Sequence, residues 1–491
     1  MTSSRHSFVV ALVALVLSGA AFWFGTGLHP VWWLTWLAPI PVLLVAPRLS
    51  RSAAFVTAFA GWLLGALNEW SFFTRALEVP VPLVVLFVTL PAVVFALAVL
   101  AYRSFLPRGW LWRAALIFPS LWVLAEFVNS RISIHSTAGN LAYSQMNFLP
   151  ILQFASITGI WGISFCLFLF ASTASILLLR YGRPNQRRNL GLAVFAALAI
   201  VLCCGMWRLY SAPTAPSAKV ALLSSDLPEN LITEKPDDTM RLLRDYVQQA
   251  KIAASHGVEI VVIPEKISVV NPAVLADVDP LLQSTAEATG AKIIVGIIDV
   301  TADAKWNEAR IYTPGAAIRT YDKHHMLPPF ESKLKPGTTL TEWPEPSGQW
   351  GVAICGVAIC KDMDFPQTGR DYGNDGVGLL LVPAWDFVGD GWLHGRMAIL
   401  RGVESGFSIA RSPKQGILTV SDNRGRVLSE QVSSADPLVS LIAAVPVRND
   451  RTIYARFGDW FAWLNVGLFV VLMLSRIVGR PTFYTAKAKA A

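Results

Sequence analysis

Three residues that could do acyl chemistry each stand at or after the end of an apolar run. Glu265 follows "VVIP", Lys323 lies in "RTYDKHH", and Cys360 ends "VAIC". A carboxylate can take the proton of a thiol, the thiolate can attack a carbonyl carbon, and an ammonium can stabilise the oxyanion that forms. Each residue alone is unremarkable at such a position. As a set, placed where strands of an α/β domain end, they predict a cysteine nucleophile with an acid–base partner.

The stretch "GVAICGVAIC" holds two cysteines, and the elements around it separate them. Side chains on a strand alternate between its faces, so on a regular strand Cys355 and Cys360 point in opposite directions. Cys360 stands at the predicted end of the strand, whereas Cys355 lies in the middle and is typical of a small buried hydrophobe. We therefore expect Cys360 to be the nucleophile and no disulfide to join the two.

The composition indicates a membrane protein. Of 491 residues, 54% are hydrophobic and 18 are Trp, a side chain that suits membrane–water interfaces. The net charge of +8 comes from basic residues in short loops between apolar runs, which favours topology-setting charges and no nucleic-acid partner. Runs that could cross about 30 Å of hydrocarbon predict eight spans, near 8–25, 31–47, 52–70, 80–102, 110–128, 154–179, 190–210 and 459–478.

The loop charges predict the orientation. Basic residues lie before the first span, between spans two and three, four and five, and six and seven, and after span eight, while the intervening short loops hold only Arg75 and Arg131. The positive-inside rule then places both termini in the cytoplasm and the segment before the last span outside. The first apolar run also fits a signal peptide, but it lacks a convincing small-residue cleavage site, and we expect it to remain.

The segment before the last span predicts a separate domain. Apolar strand-like runs such as "EIVVIPE" and "KIIVGIID" alternate with helical patterns, which indicates an α/β layered domain. The predicted organisation is membrane spans one to seven in 1–210, a linker in 211–218, an extracytoplasmic catalytic domain in 219–450, the last span in 451–480 and a cytoplasmic tail in 481–491.

The order of the motifs resembles a known superfamily. "P-E", "Y-x-K-H-H" and "C-x-D-x-x-F-P" are similar to the nitrilase, or carbon-nitrogen hydrolase, superfamily. "FPSLWVLAEFVNSR" (118–131), "GNLAYSQMNFLPILQFASITGIWGISF" (139–165) and "YARFGDWFAWL" (454–464) resemble the membrane parts of the bacterial apolipoprotein N-acyltransferase family. The resemblance implies a polytopic helical bundle of about eight spans carrying an α/β nitrilase-like αββα sandwich.

The resemblance also implies roles for individual residues. Glu265 corresponds to the general base, Lys323 to the oxyanion-stabilising lysine and Cys360 to the nucleophile, while Glu331 corresponds to a second glutamate that orients Lys323 and the substrate. The alternative for Glu331 is a solvated loop acid. Beside the nucleophile, Lys361 and Asp362 are expected to support the site.

The resemblance further implies a substrate pair. A phospholipid would donate its acyl chain to the cysteine as a thioester, and the N-terminal amine of a diacylglyceryl-cysteine apolipoprotein would accept it, with no cofactor or metal. Such an enzyme lies in the bacterial cytoplasmic membrane with its catalytic domain on the periplasmic side.

Several stretches depart from the family pattern and leave the acceptor open. "LLSSDLPENLITEKPDD" contains no Trp, Lys361 replaces a tyrosine, Phe330 replaces a glycine, and "PAWDFVGDGW" (383–392) replaces "N-D-x-W-F". A membrane-anchored amidase, or an acyltransferase with another acceptor, is the alternative. A catalytically silent binding protein is a third, which the intact Glu-Lys-Cys set disfavours.

Other residues allow two interpretations each. Trp385, Phe387 and Trp392 fit a substrate loop that dips into lipid or an ordinary aromatic loop packed on the domain. Glu126, inside an apolar span, is either functional or a side chain that reaches the interface. A further set is expected to form scaffold pairs: His394, Arg401 and Glu404.

Overall fold

The computed structural model describes residues 2–211, 215–346 and 352–478. The chain divides into two compact units, one formed by Met1–Tyr210 with Asp459–Ala491 and the other by Ser211–Gly458. The second unit therefore extends beyond the predicted domain boundary at residue 450. The predicted cytoplasmic tail, 481–491, lies outside the described residues.

The first unit is helical throughout its described part. Its helices are α1 (Thr2–Gly25), α2 (Leu34–Leu37), α3 (Ile40–Val45), α4 (Arg51–Ala66), α5 (Val81–Phe105), α6 (Leu111–Ile132), α7 (Leu149–Leu152), α8 (Ala155–Thr158), α9 (Ile160–Leu179), α10 (Pro184–Tyr210) and, at the end of the chain, α16 (Trp460–Val478). Buried alanines and aromatic rings of several of these helices form one apolar core.

Six helices in the described part of the chain are long and apolar enough to cross a membrane. The other two predicted spans are helical but irregular. The segment 31–47 is broken into α2 and α3 because Pro39 and Pro41 remove backbone donors there. Helix α4 has 16 residues, and the helical path continues through a 3₁₀ turn, Leu67–Glu69, and a π-helical turn, Phe72–Ala76.

Glu126 on α6 has a partner inside the first unit. Its Oε1 accepts a hydrogen bond from the backbone N–H of Leu141 at 2.9 Å. Leu141 begins a 3₁₀ helix, Leu141–Gln145. The carboxylate therefore satisfies an otherwise free helix-end donor and holds this segment against α6, rather than reaching toward solvent.

The second unit contains two β-sheets. Its strands are β1 (Ser217–Ser224), β2 (Ile260–Val262), β3 (Val269–Val270), β4 (Lys292–Val300), β5 (Lys305–Tyr312), β6 (Arg319–Asp322), β7 (Thr341–Pro346), β8 (Val352–Val357), β9 (Leu379–Trp385), β10 (Ser408–Lys414), β11 (Ile417–Ser421), β12 (Val427–Val432) and β13 (Val439–Pro446). One sheet has the order β13-β1-β2-β4-β5-β6 with β3 beside β4, and the other has the order β12-β11-β10-β9-β8-β7.

Helices cover the outer face of each sheet. They are α11 (Pro236–Ser255), α12 (Pro272–Thr289), α13 (Pro366–Asn374) and α14 (Gly391–Ser405), and a short helix, α15 (Ile453–Phe457), packs against α13 and α14. Side chains of α11 and α12 share a core with β1, β2 and β4, and those of α13 and α14 share one with β8, β9 and β10. A third core lies between the sheets. The predicted αββα sandwich is confirmed.

Candidate active site

The candidate residues follow the ends of three strands drawn from both sheets. Glu265 comes shortly after β2, Lys323 directly after β6, and Cys360 shortly after β8. Strands β2 and β6 belong to one sheet and β8 to the other. The site is therefore assembled only when the two sheets pack face to face.

Cys360 lies beyond its strand, contrary to the expectation that it ends one. Strand β8 stops at Val357, and Cys360 begins a 3₁₀ turn with φ 44°, in the left-handed region that non-glycine residues rarely adopt. The alternation rule therefore does not reach Cys360. Cys355 lies within β8, fully buried and opposite Trp343 and Leu379, as expected of a core residue.

Lys323 links the two glutamates. Its Nζ lies 2.9 Å from Oε1 of Glu265 and 2.9 Å from Oε2 of Glu331. All three side chains are at most 2% exposed. Burial opposes the charge on Lys323, yet the Glu265 and Glu331 carboxylates raise its pKa well above the ordinary value. Lys323 is therefore a permanent cation, and Glu331 is a buried member of the cluster rather than a solvated loop acid.

Asn307, in the middle of β5, completes the cluster and carries no signal in the sequence. Its Nδ2 donates to Oε1 of Glu265 at 2.6 Å and to Oε1 of Glu331 at 2.8 Å. Its backbone carbonyl accepts from the N–H of Lys323 at 2.8 Å. The fully buried Asn307 thus holds the two carboxylates at a fixed spacing through its side chain and holds the backbone of Lys323 through its carbonyl.

A second lysine, Lys266, also joins this cluster, and the sequence analysis did not single it out. Its Nζ lies 2.5 Å from Oε1 of Glu331 and 3.7 Å from Oε1 of Glu265. Lys266 has φ 50°, so the chain turns sharply just after Glu265. Gly296 on β4 admits this turn, because a Cβ there would lie 2.5 Å from Cα of Glu265.

The charges around Cys360 act on its thiol in opposing directions. Burial, and then the Glu265 carboxylate, raise the pKa of the Cys360 thiol to about 12, while Lys323 and Arg411 work against that rise. Burial would also raise the pKa of Glu265, but Lys323 and Lys266 hold it at about 2. The resting site therefore pairs a neutral thiol with an ionised carboxylate.

The two residues after Cys360 are both buried. Asp362 accepts from the hydroxyl of Tyr321 at 2.8 Å and from the backbone N–H of His325 at 2.9 Å, so it holds the chain on both sides of Lys323. Lys361 is 5% exposed. Burial lowers its pKa below the ordinary value, and its charge acts on Asp364, Lys323 and the thiol.

Three predicted loop aromatics lie near the site in different settings. Trp385 ends β9, and its ring faces the ammonium of the buried Lys414 at 3.6 Å. Phe387 packs against the exposed Phe330 with 5.4 Å between ring centroids. Trp392, on α14, stacks under the Arg396 guanidinium. The ring of Trp385 therefore contacts a buried lysine, whereas that of Phe387 contacts an exposed ring.

An ionic cluster, Asp386 with its partners, lies beside this loop. Asp386 is fully buried and receives both terminal nitrogens of Arg411. His394 Nδ1 lies 3.0 Å from Oδ2 of Asp390 and 3.6 Å from Oδ1 of Asp386. On the same helix, α14, the buried Arg401 pairs with Glu404 at 3.1 Å.

The same cluster is the group of described residues whose donor atoms could hold a metal ion. The donors of Asp386, Asp390 and His394 lie within 4.8 Å of one another. Burial opposes the charge on His394, but Asp390 and Asp386 raise its pKa well above the ordinary value. Arg411 pairs with Asp386, and His394 contacts both Asp386 and Asp390, so in this structure the four groups form an ion-pair network.

Comparisons with known proteins match both units. Residues 18–173 match the family model of the apolipoprotein N-acyltransferase N-terminal domain, and residues 220–457 match that of the carbon-nitrogen hydrolases. The apolipoprotein N-acyltransferase of Geobacter metallireducens is 25% identical, over 96% of this chain and 95% of its own. That of Shewanella oneidensis is 26% identical over 71% of each chain.

A solved structure is similar to part of the chain. An amidase of the nitrilase superfamily from Nesterenkonia AN1 covers 51% of this chain and 97% of its own, with 17% sequence identity and a TM-score of 0.41. The two family models are matched in the order that the motifs predicted, and relatives of the same name align along nearly the whole chain. Along nearly its whole length the chain is similar to apolipoprotein N-acyltransferases.

Proposed function

We propose that this bacterial membrane protein moves a fatty acyl chain from a phospholipid, through a thioester on Cys360, to the N-terminal amine of a diacylglyceryl-cysteine lipoprotein. The observation that carries the proposal is the buried cluster in which Lys323 bridges Glu265 and Glu331 at 2.9 Å each. The charges of Glu265 and Lys323 both act on the Cys360 thiol. This set supplies a proton acceptor, a fixed cation and a nucleophile in one place.

In the first half-reaction, Glu265 takes the thiol proton and the sulfur of Cys360 attacks the ester carbonyl of the phospholipid. The negative charge that develops on the carbonyl oxygen faces the Lys323 ammonium. When the carbon–oxygen bond of the ester breaks, the proton on Glu265 passes to the departing lysophospholipid alkoxide. The acyl chain is then held as a thioester, and Glu265 is again ionised.

In the second half-reaction, an uncharged amine attacks the thioester carbonyl. Glu265 removes the proton that the nitrogen must lose, and Lys323 again faces the oxyanion. Breaking the carbon–sulfur bond gives the amide and a thiolate, which takes the proton back from Glu265. The balance of protons needs no cofactor, because each one removed by Glu265 is returned within the same half-reaction.

The proposed side of the membrane follows from the loop charges. Arginines flank the spans on the side of both termini, so the catalytic unit, inserted before α16, is proposed to lie on the periplasmic side. There it would meet outer-leaflet phospholipids and exported lipoproteins.

The test is acylation of a defined acceptor. Purified protein mixed with phospholipid and a diacylglyceryl-cysteine peptide should yield a triacylated peptide, detected by mass spectrometry, and Cys360→Ser should yield none. A peptide with a blocked amine is the matched control. If the free peptide stays unmodified while another amine is acylated, the acceptor assignment is wrong. If small amides are hydrolysed and no acyl transfer occurs, the protein is an amidase.

A further inference from the structure

Lys323 has no spare N–H in the resting site. An ammonium has three donors, and Nζ of Lys323 contacts Oε1 of Glu265 at 2.9 Å and the Oε1 and Oε2 atoms of Glu331 at 3.1 and 2.9 Å. To face an oxyanion, Lys323 must release at least one of these contacts. Releasing Glu331 would leave a buried carboxylate short of positive charge, which is costly.

Lys266 is close enough to Glu331 to remain its ion-pair partner when Lys323 releases it. Its Nζ is 2.5 Å from Oε1 of Glu331, the oxygen that Lys323 contacts at 3.1 Å. The Lys266 side chain is 14% exposed, so it reaches the cluster from the open side while Lys323, at 2%, lies within it.

The backbone of Lys266 is fixed by a third lysine. Nζ of Lys414, at the end of β10, donates to the carbonyl oxygen of Lys266 at 3.1 Å and to that of Leu231. The centroid of the Trp385 ring lies 3.6 Å from Nζ of Lys414 and 5.5 Å from Nζ of Lys266. The hydrogen bond from Lys414 therefore ties the left-handed turn after Glu265 to β10, which belongs to the same sheet as β8, the strand before Cys360.

We propose that Lys266 is a positioning residue of the reaction, which retains the charge of Glu331 while Lys323 turns one N–H toward the reacting carbonyl oxygen. This inference rests on the proposed acyl transfer. It gives the cluster two ammonium groups for two carboxylates. When Glu265 is protonated and the oxyanion has formed, two positive charges still face two negative ones.

The charge of Lys266 also affects the pKa of Glu265, the proposed base. Glu265 is faced by Lys323 after β6, by Lys266 on its own turn, by Glu331 from the following loop, by the Cys360 thiol after β8, and by Lys414 at the end of β10. The neutral Asn307 approaches from β5.

The sign of the effect of Lys266 on Glu265 follows from these charges. Burial would raise the pKa of Glu265, and Lys323 and Lys266 together hold it at about 2. Without the charge of Lys266 the pKa rises, so the ionised base is lost at a higher pH.

The experiment compares Lys266→Gln, which keeps a hydrogen-bond donor and removes the charge, with Lys266→Arg, which keeps the charge. The rate of acyl loading onto Cys360 from phospholipid vesicles is measured between pH 4 and pH 9. We expect Lys266→Gln to load about tenfold to a hundredfold more slowly, with an unchanged KM for phospholipid and a loading rate that falls further at the acidic end of the range than that of the unmodified protein. Lys266→Arg should recover most of the rate, and the exposed Lys335→Gln should match the unmodified protein.

A second readout needs no substrate. Alkylation of Cys360 by iodoacetamide, located by peptide mass spectrometry, should require higher pH in Lys266→Gln than in Lys266→Arg, because the negative charge of Glu265, which raises the pKa of the thiol, is then offset by one cation fewer. Unchanged loading and unchanged alkylation profiles in Lys266→Gln would overturn the inference and leave the proposed function intact. If the unmodified protein does not load at all, the proposed function fails, and the alkylation profiles alone decide whether Lys266 acts on the site.

Discussion

The thiol of Cys360 donates a hydrogen bond to the backbone carbonyl of Trp385, with 3.5 Å between Sγ and the oxygen. Cys360 follows β8, and Trp385 ends β9, the parallel strand beside it in the same sheet. Glu265, Lys323 and Asn307 come from the other sheet. The nucleophile is thus anchored separately from its base and cation, and the packing of the two sheets brings them together.

Replacing the thiols one at a time tests which cysteine reacts. Cys360→Ser should abolish acyl transfer, because a serine hydroxyl is far harder to ionise than a thiol. Cys355→Ser should retain transfer and lose stability, since it puts a hydroxyl in a fully buried strand position. Transfer is measured by mass spectrometry of the acceptor and stability by the melting temperature. An inactive Cys355→Ser beside a fully active Cys360→Ser would reverse the assignment.

Glu265→Gln should separate thiol ionisation from catalysis. Burial and the Glu265 carboxylate raise the pKa of Cys360 to about 12, so removing that negative charge lowers the thiol pKa. Alkylation by iodoacetamide at a fixed pH should therefore become faster by severalfold or more. Acyl loading should fall by about a hundredfold or more, because no group takes the thiol proton in the transition state.

The matched control for this prediction is Lys323→Met, which should slow both alkylation and loading, since Lys323 lowers the thiol pKa. If Glu265→Gln instead slows alkylation as much as loading, Glu265 does not act as the base in the way described.

The Asp386–Arg411 pair should contribute to stability through its burial. Both side chains are at most 2% exposed, and Arg411→Met leaves the Asp386 carboxylate without its bidentate partner. We expect a loss of about 3–5 kcal/mol in the free energy of unfolding. Arg396→Met is the comparison, because its partner Glu430 is 40% exposed, and it should cost about 1 kcal/mol or less. Equal losses in the two variants would contradict this role.

Fusions to a reporter enzyme that works only outside the cytoplasm test the orientation. A fusion after Pro216 should be active and a fusion after Arg183 silent, because Arg183 lies in an arginine-rich loop and Pro216 follows the next apolar helix, α10. The opposite pattern would place the catalytic unit in the cytoplasm and remove its access to exported lipoproteins.

The sequence predicted the fold class because its periodicity and run lengths carry that information. Alternating strands and helices predicted an α/β layered domain, and the resemblance carried by the motifs implied the αββα sandwich. Strand ends were less predictable, since Cys360 lies beyond β8 in a left-handed turn that no local pattern encodes. The broken segment at Pro39 shows that apolar length alone overestimates helix continuity.

The charges of the site could be predicted only in part. Glu265, Lys323, Glu331 and Cys360 are recognisable from their motifs. Asn307 sits in an ordinary strand, and its role follows from the register of β5 beside β4 and β6, which is a tertiary property. Lys266, directly after Glu265, was visible in the sequence, but a lysine after a strand is usually exposed, and its turn toward Glu331 appears only in the structure.

The most direct measurement of the central claim is the mass of the protein after incubation with phospholipid alone. The account predicts an added acyl chain on Cys360, found on the peptide that contains it and removed by hydroxylamine, and no such addition in Cys360→Ser. An intact protein that never gains this mass from any phospholipid, or that gains it on another residue, would contradict the claim that Cys360 carries the acyl group.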